Sequence, residues 1–117
     1  MKTASDHTPH PVTVHVAEQD GVFSAHYKPD PVHVDGPTEL HFKLVTPGWA
    51  FSEVVFGPPF SDLQMLGPTA FNLHDAGRPH KTSFKITLVR NGTRQLGDPG
   101  PEMLDLYPEV LNGPGTD

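Results

Sequence analysis

Between Thr38 and Gly57, TELHFKLVTPGWAFSEVVFG, apolar and polar residues take strict turns, stop at a Pro-Gly pair and give way to a second apolar run. Leu40, Phe42 and Leu44 fall on one side of an extended chain, His41 and Lys43 on the other, because successive side chains of a strand point to opposite faces. Pro47 brings a fixed φ and Gly48 a permitted positive one, the chemistry of a tight turn. The stretch reads as two core strands joined at a corner.

The same grammar governs the rest. Up to Pro79 the prolines and glycines fall as punctuation between short apolar runs, which long helices would not survive. Val12, Val14 and Val16 alternate with Thr13, His15 and Ala17 and run to Asp20-Gly21, the strongest short hairpin signal. A two-residue turn there sets Gln19 opposite Val22, Val16 opposite Ala25, His15 opposite His26 and Val14 opposite Tyr27. That register puts apolar partners on one face and polar partners on the other. Val32 to Val34, Phe51 to Phe56 and Thr69 to Leu73 read as further strands, while Phe60 to Leu66 fits one turn of helix or an edge strand equally. His74 to His80 reads as a polar loop. Ser83 to Arg90 reads as a strand with Phe84, Ile86 and Leu88 inward and Lys85, Thr87 and Val89 outward. Asn91-Gly92 is predicted to turn it back as Thr93 to Leu96, a bulge setting Leu96 opposite Ile86.

About seven or eight strands without a convincing helix predict an all-β, antiparallel β-sandwich of immunoglobulin-like or cupredoxin-like kind, a closed barrel being the alternative. Residues 1–11 read as a flexible N-terminus, 12–97 as the sandwich domain and 98–117 as a Pro/Gly-rich, acidic and apolar arm. A chain of 117 residues buries enough surface to need no staple, and the absence of Cys excludes disulfides, zinc-thiolate and iron-sulfur sites and thiol nucleophiles.

The segment LVTPGWAFSEVVF (Leu44 to Phe56), the run FKITLVRNG (Phe84 to Gly92), and Asp98-Pro99 with Pro108-Glu109 resemble the small bacterial DP-EP proteins, across roughly residues 38 to 109. The resemblance implies a compact β-sandwich of uncharacterised role and supplies no catalytic residues.

The formal charge is −6, and residues 98–117 carry −5 of it through Asp98, Glu102, Asp105, Glu109 and Asp117. Neither part has the basic stripe that phosphate-backbone binding needs, so nucleic acid is not an expected partner. No apolar run is long enough to span a membrane and no apolar segment follows Lys2, so a cytoplasmic protein without membrane contact is expected.

Three groups of residues carry chemistry. Of eight histidines, His15, His26, His33 and His41 fall on outward strand positions, placing two to four imidazoles on one sheet face. Two or three within reach would bind Zn, Cu(II) or Ni, though alternation alone explains polar residues on a wet face. No cofactor is the expectation, with Zn or Cu as the alternative. Trp49 and Phe60, with Phe51, Phe56, Pro47, Pro58 and Pro59, form an aromatic, proline-rich corner that would hold a sugar or peptide if exposed and is core if buried. Met103, Leu104, Leu106, Tyr107, Val110 and Leu111 make the arm too apolar for a linker. It lies on its own sandwich or on a neighbouring subunit, and a homodimer or small homo-oligomer is expected. His74-Asp75 with His80 has the makings of acid-base chemistry, but no nucleophile elbow or phosphate loop accompanies it, so catalysis is not expected. The leading reading is a non-catalytic binding or assembly module, followed by a His-based metal-binding protein and then a carbohydrate or peptide binder.

Overall fold

A computed structural model describes residues 9–90 and 102–113. They form β1 (His10–Gln19), β2 (Val22–Lys28), β3 (Val32–Val34), β4 (Thr38–Leu44), β5 (Trp49–Val55), β6 (Phe60–Gly67), β7 (Ala70–Asp75), β8 (His80–Ser83), β9 (Lys85–Arg90), β10 (Met103–Leu106) and β11 (Glu109–Asn112), with no helix among the described residues. The alternation of the sequence sets the burial. In β4 Leu40, Phe42 and Leu44 are buried while Lys43 is exposed, as one dry and one wet face require.

The largest sheet has the order β2-β1-β4-β7-β6. Its first hairpin has the register expected from Asp20-Gly21, with His15 opposite His26 and Val14 opposite Tyr27. Asp20 and Gly21 both take positive φ, the twist-matched turn this dipeptide favours. Phe60 to Leu66 is a strand, the edge strand β6, with its register interrupted on either side of Gln64-Met65. Asp62, at positive φ, lies in the first interruption. β1 and β4 run parallel, with Val12 beside Phe42 and Val14 beside Leu44.

Two three-stranded sheets, β10-β9-β5 and β3-β11-β8, complete the fold. One register runs through both: Met103 faces Val89, Leu106 faces Ile86, Glu109 faces Ser83 and Asn112 faces His80. At the join the Phe84 amide donates to the Pro108 carbonyl. Residues 80–90 and 103–112 are therefore one long antiparallel pair, broken at Phe84 and at Tyr107-Pro108, where a residue without an N–H interrupts the ladder. Val12, Val14, Leu40, Phe42, Phe71 and Leu73 of the large sheet share one core with Val32, Phe51, Ile86, Leu88, Leu106 and Val110 of the other two. Phe42 stacks on Phe71 at 4.9 Å and meets Phe84 edge-on at 5.5 Å, and burying each such ring stabilises the fold by about 2–3 kcal/mol. The arrangement is sandwich-like and its sheets are not closed, which removes the barrel.

Several expectations need correction. The strands are not all antiparallel: β1–β4 and β3–β11 are parallel, because the short β3 takes the chain to the other sheets before it returns on the free side of β1. Among the described residues the strand segments number eleven, since breaks divide two long strands and β3 and β8 are short. Thr87 points outward, level with exposed Glu53 and Asp105, yet is buried there: β9 lies between β5 and β10, and the Thr87 hydroxyl donates to Asp105 at 2.9 Å. The hairpin through Asn91-Gly92 to Leu96 lies outside the described residues, but both neighbours of Ile86 are already taken by Val54 and Leu106. His10 and Pro11, assigned to the flexible terminus, open β1.

Candidate functional site

Beyond the end of β4 the corner Thr46-Pro47-Gly48 carries the chain into β5, with Gly48 at the positive φ the turn demands. It brings Trp49 opposite Arg90 at the end of β9. The turn end of the β1–β2 hairpin supplies Val16, Glu18 and Phe23. Together these residues line an open cup of about 310 Å³. Trp49 is 4% exposed and meets Phe23 edge-on at 5.4 Å. The Arg90 guanidinium lies over the Phe23 ring, 4.8 Å from its centroid. Thr46 accepts a 2.8 Å bond from the Val16 amide, which fixes the wall between hairpin and corner. The cup thus combines an aromatic floor with one cationic and one anionic side chain, the mixture that small-ligand sites use.

Trp49 is therefore a wall of the cup and not an exposed stacking platform. Phe60 does not join it. It is buried at the far end of the large sheet, opposite Asp75, where it meets His80 and Phe84 edge-on. The aromatic corner of the sequence is two separate places.

The far end is closed. Asp75 is fully buried, and its carboxylate accepts from the Gly77 amide at 3.0 Å and pairs with His80 Nε2 at 2.8 Å. His80 Nδ1 lies 3.1 Å from the Thr82 hydroxyl. Asn112, opposite His80, is also buried and clasps the β3–β4 turn by accepting from the Gly36 amide and donating to the Gly36 carbonyl. The sequence singled out Asp75 with His80, and the fold brings them into contact. The carboxylate holds Nε2, where a hydrolase triad holds Nδ1, the side chain is only 10% exposed and the Phe60 ring abuts it, so what the geometry accomplishes is to pin the turn between β7 and β8.

The histidines divide. His15 and His26 stack at 5.2 Å with rings 23° apart, presenting faces rather than lone pairs to each other, and Ser24 Oγ lies 2.9 Å from His26 Nε2. His41 shares their outward face of the large sheet and bonds Asn72 at 2.7 Å. His33 lies on β3, in another sheet. Among the described residues no group of three His or carboxylate side chains is placed to hold a metal ion. His74, passed over as a ligand, adds a fourth imidazole to that outward face, 3.5 Å from Glu39.

The arm packs on its own chain from Met103 to Asn112: Leu106 and Val110 enter the core, Leu104 packs against it, and Met103 and Tyr107 stay exposed. Burial depresses the pKa of His10, whose Nε2 is buried without a partner among the described residues. Burial also pushes the Tyr27 phenol up to about 12, aided by the Asp30 carboxylate against the donation of the Glu109 amide to its oxygen. Among the described residues no helix is long and apolar enough to cross a membrane. No protein-family model matches this chain, and no curated protein matches it either.

Proposed function

We propose that this chain is a non-catalytic binding module of immunoglobulin-like type whose ligand seat is the cup around Trp49, and that it takes a peptide end bearing an apolar side chain and a free carboxylate. One observation carries the reading: Arg90 is held over Phe23 beside Trp49, in open space, 4.8 Å from the ring. A guanidinium whose flat face rests on a ring still has its in-plane fork of N–H donors for a carboxylate, and the ring pair offers apolar surface to the adjoining side chain. Glu18 at the same cup disfavours a ligand carrying a second negative charge.

Trp49 is the only Trp, so its emission reports the cup directly. Titration with short peptides ending in Phe is expected to change that emission saturably, and the C-terminally amidated peptides or Arg90→Ala are expected to abolish the change. A response equal for free and amidated ends would remove the carboxylate, and with it the proposal. The resemblance to the DP-EP proteins and the homodimer belong to the same reading. What supports a dimer is exposed apolar surface at Met103 and Tyr107, and a single species of monomer mass in sedimentation would end it.

A further inference from the structure

The outward face of the large sheet carries a pattern that the cup does not use. Thr13 has Lys28 on one side and Lys43 on the other, all three exposed. Two residues further along β1, His15 stacks on His26. Two residues back along β4 from Lys43 lies His41, and diagonally beyond it on β7 lies His74. Alternate residues of a strand are about 7 Å apart and neighbouring strands about 5 Å apart, so His15, Lys43, His41 and His74 follow one another at steps of about 7–8 Å. They form a diagonal stripe of imidazoles around Lys43 across β1, β4 and β7, with His26 and Lys28 flanking it on β2. The stripe ends beside carboxylates: Glu39 pairs with His74, and Asp62 lies in the β6 interruption next to Ser61, which faces His74. The other outward residues of β1 and β2, Pro11, Thr13, Ala17, Gln19, Val22 and Ser24, carry no charge.

We propose that this stripe is a docking track for an extended acidic peptide with carboxylates on alternate residues, and that acid strengthens the binding. The spacing points to that partner. Side chains on one side of an extended peptide recur about every 7 Å, which matches the steps of the stripe, whereas a flat anionic surface would need no line. Charge points the same way. Imidazole is the side chain that acquires its proton between about pH 5 and 8, while Asp, with a usual pKa of about 3.9, keeps its charge there. Four of the eight histidines lie on this face, together with Lys28 and Lys43.

Fluorescence anisotropy of a labelled peptide of about a dozen alternating Asp and Ser residues tests this at low salt. The affinity is expected to rise about tenfold or more between about pH 7.5 and pH 5.5, where histidine charge changes. At pH 5.5 it should fall several-fold in His15→Gln with Lys43→Gln and stay unchanged when the peptide is C-terminally amidated, which removes the end group that the cup would take. Both stripe residues are on the wet face, and native Trp49 emission certifies the fold of the double variant. Binding insensitive to pH, or equal in the double variant, would overturn the proposal. So would tighter binding of dextran sulfate through the same two residues, which would assign the track to a polysaccharide.

Discussion

At one end of the large sheet Trp49, Phe23 and Arg90 surround open space, and at the other Phe60, His80 and Asp75 surround none. Each end sets aromatic rings beside an ionisable group, but the partners differ. Among the described residues Arg90 has a ring face for a partner, which satisfies none of its N–H donors and leaves hydrogen-bonding capacity for a ligand. Asp75 spends both oxygens inside the fold, on Gly77 and His80. An ionisable group that is already fully bonded holds a structure together, and one that is not is available for recognition.

The comparison breaks most severely at Asp75. Asp75→Ala leaves the His80 ring and the Gly77 amide without their acceptor in a dry site, and removing one member of such a pair costs about 3–5 kcal/mol. Urea unfolding measures it, and a loss below about 1 kcal/mol would show that water reaches this end. The next effect uses one substitution at both ends. Gly77 and Gly48 both have positive φ, but a Cβ on Gly77 would stand 2.4 Å from the Pro37 nitrogen, whereas one on Gly48 meets nothing within 4 Å. Gly48→Ala should therefore cost only the backbone strain of about 1–2 kcal/mol, and Gly77→Ala a steric term in addition. Equal losses would mean that the two turns are equally free to shift.

His10 sharpens the contrast through pH. It opens β1 in phase with Val12 and Val14, in the half of the sheet that includes Leu40 and Leu73, and burial lowers its pKa. Below about pH 6.5 the unfolded chain takes up a proton that the folded chain refuses, so stability falls as pH drops from there through the lowered folded value. His10→Leu should flatten that part of the stability curve. It should also leave neutral-pH stability undiminished, since the imidazole it removes has a buried nitrogen without a partner.

How much of this was legible in the sequence follows from the range of the interactions. The β1–β2 register was readable to the residue because Asp20-Gly21 permits one tight turn and alternation allows no slip. The meeting of Asp75 with His80 was half readable, both being close in sequence, but their burial depends on Phe60 arriving from β6 and Asn112 lining up opposite His80. The cup was not readable: Phe23, Trp49 and Arg90 come from β2, β5 and β9, and nothing local marks Arg90 as a partner of Phe23. Period two put His15, His26 and His41 on an outward face correctly, yet it could not tell that β3, with His33, belongs to a different sheet.

The smallest expected effect on stability is the most informative about function. Replacing Arg90 by Met keeps an unbranched apolar stem to cover Phe23 but removes the cation, and an exposed cation–π contact contributes about 0.5–1 kcal/mol. Arg90→Met should therefore unfold within about 1 kcal/mol of the parent, with Trp49 emission unchanged because that ring's burial does not depend on the guanidinium. Peptide binding at the cup, by contrast, should be lost, since a thioether cannot supply the paired N–H donors a carboxylate needs. A variant that is clearly destabilised would move Arg90 into the same class as Asp75, a group spent on the fold. The two ends would then differ in openness alone.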